Sequence, residues 1–142
     1  MNQRGCLADG FSCNRYRCPV LPLQAGHSRD RYQPHLDGKL GVLSFMTIAE
    51  LDFWANLRNW GAKRRDELSA FLQPYTVIDS DRRLCQVWAE IRSQVMRDGH
   101  HIDTADCWIA ATAMLYATPL VTHNGSHFVH VSGLTVLSES QA

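Results

Sequence analysis

Ile102-Asp-Thr-Ala-Asp-Cys-Trp-Ile-Ala-Ala-Thr-Ala-Met-Leu-Tyr-Ala-Thr-Pro-Leu-Val-Thr-His-Asn124 is the stretch that decides the fold class. Asp103 supplies a side-chain oxygen for a helix N-terminus, and carboxylates at 103 and 106 both suit the positive end of the helix dipole. Cys107 to Ala113 is largely apolar, so this helix is expected to be deeply buried. Thr118-Pro119 ends it, because proline cannot continue the backbone hydrogen bonding. Leu120-Val-Thr122 then reads as a buried strand, and Asn124-Gly125 marks the turn after it. A buried helix that leads through a short loop into a buried strand is half of an α/β unit.

The pattern repeats on both sides. Gly41-Val-Leu-Ser-Phe-Met46 is a compact apolar run that predicts a strand. Thr47-Ile-Ala-Glu50 has capping-box spacing, with Thr47 as N-cap and Glu50 at N3. Ile48, Leu51, Trp54, Ala55 and Leu57 continue as a helical face, and Gly61 breaks it. Lys63 to Leu72 predicts a second helix, stopped by Pro74. Thr76-Val-Ile78 is a short strand. Asp79 to Asp81 starts a helix whose Leu84, Val87, Trp88, Ile91 and Val95 recur at helical spacing. Asp98-Gly99 ends that helix, and Leu134-Thr-Val-Leu137 gives a last strand. The result is an α/β domain with a mostly parallel sheet flanked by helices.

Residues 1–26 read differently. Three cysteines, Pro19, Pro22 and scattered arginines show neither helical nor strand periodicity, which predicts an N-terminal arm followed by one domain over 27–142. The change near residue 26 would also fit an out-of-frame or mis-started 5′ end of the gene. Cys6, Cys13 and Cys18 with His27 match no standard zinc-ligand spacing.

Composition narrows the functional classes. The 14 basic and 14 acidic residues cancel, so any nucleic-acid contact must come from a local patch. No apolar run approaches the roughly 20 residues that span a bilayer, and no secretory signal precedes the domain. Five cysteines without such a signal fit a reducing cytoplasm.

In parallel sheets, functional groups collect at the carboxyl ends of the strands. That rule selects Glu50, Asp103 with Asp106, and the loop holding His123, His127 and His130. Glu50 has a structural alternative, the capping box itself. Asp103 and Asp106 have one too, as a helix start, but a carboxylate at the mouth of a buried helix needs a partner or a metal. Three loop imidazoles could hold a transition metal, although loop histidines more commonly face water. Arg58, Lys63, Arg64 and Arg65 form a basic group after Glu50 that would suit an RNA backbone or simply a solvated surface. Trp54, Trp60 and Trp88 fit core or interface positions better than base-stacking ones.

In order, Ser44-Phe-Met-Thr-Ile-Ala-Glu-Leu51, Ile102 to Ala113, Pro119-Leu-Val-Thr-His-Asn124 with Phe128, and Gly133-Leu-Thr-Val136 resemble PIN domains of the VapC type. Tyr32-Gln-Pro-His-Leu-Asp-Gly-Lys39 is similar to a segment that precedes the second strand in one subgroup. The resemblance runs from about His27 to Glu139. It implies a three-layer PIN fold and a metal-dependent endoribonuclease, the toxin of a toxin–antitoxin pair. It further implies an Mg²⁺ or Mn²⁺ cofactor, an RNA substrate, a cognate antitoxin and a homodimer. By resemblance Glu50 matches the acid after the second strand and Asp106 the acid at the start of the buried helix. Asp103 and His127 are secondary candidates for the metal. The family's first strand ends in an aspartate that residues 1–26 do not match, and His127 stands where its fourth acid falls. Two other readings follow: an inactive relative that keeps its protein-binding surfaces, and an α/β binding module outside the family.

Overall fold

A computed structural model of the chain describes residues 12–14, 41–122 and 124–138. Strands β1 (Ser12–Asn14), β2 (Gly41–Ser44), β3 (Thr76–Ile78), β4 (Leu120–Val121) and β5 (Val136–Leu137) form one sheet in the order β3-β2-β1-β4-β5. Every pairing is parallel. Helices α1 (Phe45–Leu57), α2 (Ala62–Leu72), α3 (Arg82–Arg97) and α4 (Thr104–Leu115) connect them, with a 3-10 turn at Gly125–Phe128. This is the α/β arrangement the apolar patterning predicts.

Both faces of the sheet are covered. Leu120 joins the main core with Leu84, Ile91 and Val95 of α3 and with Ile109, Ala110 and Ala113 of α4. Val121 points the other way, against Phe71, Tyr75 and Leu137. A third cluster, Leu51, Ala55, Trp60 and Leu68, packs α1 on α2. Gly41 has a steric reason: a Cβ there would meet the Tyr75 ring at 2.3 Å.

The helix ends show how local chemistry sets the boundaries. The Asp81 carboxylate accepts from the Leu84 backbone N–H at 2.8 Å and starts α3. Asp103 accepts from Thr104 N–H at 2.9 Å and starts α4, as its sequence predicts. Arg65 donates to the carbonyls of Trp60 (2.9 Å) and Ala55 (3.3 Å) and to Asn56 Oδ1 (3.1 Å), clamping the end of α1 to α2.

Several boundaries differ from the sequence reading. The strand expected over 41–46 ends at Ser44, and Thr47 is not an N-cap. Ser44 takes that role, its Oγ accepting from Met46 N–H at 3.2 Å, so the helix begins at Phe45. The last strand covers only Val136–Leu137 of the expected 134–137. Sequence periodicity places no strand in residues 1–26, yet Ser12–Asn14 is the middle strand, pairing with both β2 and β4. The remainder of the expected arm, including Cys6 and Cys18, lies outside the described residues, as do His27, the Tyr32–Lys39 segment and His123.

Two outcomes follow from this packing. Asp81→Ala removes one cap and should lower unfolding free energy by about 1 kcal/mol in urea titration. Cys107 is fully buried, and burial pushes its thiol up from 9.0 to about 11, with Arg92 opposing and Asp106 adding to the rise. Between pH 9 and 11 the unfolded chain has released this proton while the folded chain still holds it. Stability should therefore fall across that window, and the fall should be shallower in Cys107→Ala, read as urea midpoints at several pH values.

Candidate active site at the carboxyl edge of the sheet

All strands are parallel, so their carboxyl ends share one edge. Helix α1 leaves β2 at that edge. Helix α4 enters β4 through residues 116–119 and so runs back along the sheet, which sets its N-terminus at the same edge. The strand order reverses beside β1, with β2 and β3 on one side and β4 and β5 on the other. Such a switch point opens a crevice outside the strand ends.

Asp106 is the central group. It lies in the first turn of α4, where the dipole favours negative charge, and its side chain is 2% exposed. His127, in the 3-10 turn and 48% exposed, brings its Nδ1 to 3.1 Å from Asp106 Oδ2. In the Nδ1–H tautomer the imidazole donates to the carboxylate. Burying a carboxylate is costly unless it is paired, and this contact supplies one partner. Phe128, fully buried, fixes the turn that carries His127.

Glu50 is the sixth residue of α1, because the helix begins at Phe45 rather than after Thr47. That placement rules out the capping box with Thr47, since Glu50 is too far from the helix start to reach an N-cap backbone N–H. Its side chain is half-buried. The rings of Phe45 and Trp108, 5.4 Å apart, join the first turn of α1 to α4 two residues beyond Asp106. Trp108 in turn stacks on Trp88 at 5.2 Å.

Other expected residues have other employment. Asp103 is exposed and caps α4. Arg58 lies over the Trp54 ring and Arg64 over the Trp60 ring, at 4.8 and 4.7 Å. Arg65 is held by the α1–α2 junction, and Lys63 is exposed. Trp60 is buried, as a core reading requires.

Three further polar residues near this edge are buried: Thr47, which the sequence marks only as an N-cap, and Ser44 and Thr122, to which it gives no role. Ser44 caps α1, and Thr122 Oγ1 accepts from Asn124 N–H at 3.1 Å. Ser44 and Thr122 carry a readable signal, as hydroxyl residues at the carboxyl ends of two apolar strands. Among the described residues, no group of three or more His, Cys, Asp or Glu side chains could hold a metal. No helix of the described residues is long and apolar enough to cross a membrane.

No curated protein sequence matches this chain. Its fold is shared with solved complexes. VapBC2 from Rickettsia felis, bound to a DNA fragment from its promoter, has a chain 20% identical with a TM-score of 0.79, covering 90% of this chain and 98% of that one. VapBC-1 from nontypeable Haemophilus influenzae gives 20% and 0.73 over 90% and 96%. FitAcB from Neisseria gonorrhoeae gives 23% and 0.72 over 89% and 96%. The family model of the PIN domain matches residues 17–134, which include Glu50, Asp106 and His127. The chain belongs to the PIN-domain family.

Proposed function

We propose that this chain is a VapC-type toxin of a toxin–antitoxin pair, a cytoplasmic Mg²⁺- or Mn²⁺-dependent endoribonuclease of reduced activity. The observation that carries the reading is the Asp106 carboxylate, 2% exposed at the mouth of a buried helix. Asp103 already caps that helix, so capping does not account for Asp106.

The donor set fits a hard divalent cation that keeps most of its water. Mg²⁺ commonly takes only one or two protein carboxylates, with water and substrate phosphate completing its shell. Glu50 and Asp106 would hold it, with Asp103 and His127 as secondary contributors. The ion would lower the pKa of a bound water and offset charge on the phosphodiester. The chain's own part is to orient the acids. His127 fixes one Asp106 oxygen, and the α1–α4 contact through Phe45 and Trp108 fixes the helices that carry both carboxylates. Arg58, Lys63 and Arg64, with Arg65 at the same junction, give RNA phosphates a basic approach.

Antitoxin binding has separate support. Phe53 and Leu57 lie one helical turn apart on α1 and are 57% and 59% exposed. Exposed apolar residues grouped in this way mark protein interfaces. The relatives named above were solved as VapBC and FitAB-type complexes. A homodimer with one antitoxin per chain is the assembly this reading expects.

A second reading, an inactive PIN protein that retains only its partner-binding surface, is favoured by one residue. His127 stands where the resemblance expects an acid, and neutral imidazole brings no negative charge to hold Mg²⁺.

Calorimetric titration with Mn²⁺ separates the two. The active reading expects weak but measurable binding that Glu50→Gln and Asp106→Asn each reduce at least tenfold, together with slow Mn²⁺-dependent cleavage of RNA. Binding that is absent from the parent, or indifferent to both substitutions, favours the inactive protein. His127→Asp restores a carboxylate and should raise Mg²⁺ affinity and cleavage rate together. No gain in either would remove this position from the metal site.

A further inference from the structure

Thr47 is 1% exposed, and its Oγ1 is buried without a hydrogen-bond partner among the described residues. Two other helix hydroxyls are satisfied locally: Thr112 donates to Trp108 O at 2.9 Å and Ser93 to Ala89 O at 2.6 Å. Thr47 lacks that outlet because the residue four positions earlier, Leu43, lies in β2 and its backbone belongs to the sheet. The N-cap role expected from its sequence position is taken by Ser44. A buried hydroxyl with no partner carries its whole desolvation penalty, and a valine of the same shape would not.

Its place in the fold gives that hydroxyl a purpose. Thr47 is three residues before Glu50 on α1, so the two side chains are neighbours on one flank of the helix. Both lie in the first half of α1, whose first turn packs on α4 through Phe45 and Trp108, two residues beyond Asp106.

We infer that Thr47 is a positioning residue of the acid site, its hydroxyl hydrogen-bonding a water that a divalent cation carries in beside Glu50. The inference rests on the reading of Glu50 and Asp106 as metal-binding groups. Mg²⁺ and Mn²⁺ retain coordinated water, and such water needs protein partners. Groups one step removed from a metal characteristically tune affinity about 10- to 100-fold.

The test pairs Thr47→Val with Thr47→Ser in the full chain, measuring the thermal midpoint of the metal-free protein and Mn²⁺ affinity by calorimetry. Thr47→Val should melt at or above the parent, by on the order of 3 °C, because it removes an unsatisfied group. It should nevertheless bind Mn²⁺ about tenfold more weakly. Thr47→Ser, which keeps the hydroxyl, should bind within about twofold of the parent. A role in packing alone predicts the reverse: Thr47→Val unchanged in Mn²⁺ affinity, or Thr47→Ser as impaired as Thr47→Val. Either result overturns the inference. Glu50→Gln serves as the reference. If it leaves Mn²⁺ affinity intact, the metal site itself is misassigned; if it weakens binding and Thr47→Val does not, Thr47 alone is.

Discussion

The domain depends on the burial of one helix, α4, between α3 and the sheet. Asp106, Cys107 and every residue from Ile109 to Ala113 are buried, so this helix has little polar face to turn outward. Its alanines let α3 approach closely, and Leu84, Ile91 and Val95 fill the space against Ile109 and Ala110. Because the loop to β4 is short, the helix can only run antiparallel to the strands. Its N-terminus is thereby fixed at the edge where β1, β2 and β4 end. A carboxylate in its first turn is carried into a buried position at that edge whether or not chemistry is done there.

That constraint makes the site an electrostatic problem before it is a catalytic one. A buried Asp106 needs favourable partners, and the helix dipole and His127 both contribute. On the proposed function, imidazole and metal ion would address the same carboxylate. The contact that stabilises the fold would then compete with the cation for an oxygen, which gives a physical reason to expect weak metal binding. The zero net charge has a related consequence. No overall field draws in a polyanion, and at the α1–α2 junction Arg65 already serves the fold while Arg58 and Arg64 lie over tryptophans.

Most of this was legible in the sequence where one element's pattern was self-contained. The periodic leucine, valine and isoleucine positions predicted α3, and the apolar run behind Asp103 predicted α4 and its burial. The sequence leaves the start of α1 ambiguous because Ser44 and Thr47 are both competent N-caps. The choice between them depends on where β2 stops pairing with β3, a tertiary matter. The strand Ser12–Asn14 was illegible for a similar reason. Three residues show no periodicity, and only their pairing with β2 and β4 makes them a strand. The motifs placed Glu50, Asp106 and His127 in order along the chain. The direct contact of His127 with Asp106 is a product of the 3-10 turn, which spacing alone does not reveal.

The central claim is that α1 and α4 present their carboxylates to one ion. The most direct measurement is a titration of the isotope-labelled protein with Mn²⁺, followed by amide signals in a two-dimensional NMR spectrum, since the paramagnetic ion broadens nearby resonances. The account predicts that substoichiometric Mn²⁺ first erases signals from residues around Glu50, around Asp106 and in the 3-10 turn at 125–128, while α3 beyond Ile91 stays sharp. Broadening confined to only one of these segments, or centred on the exposed acids of α2, would contradict it.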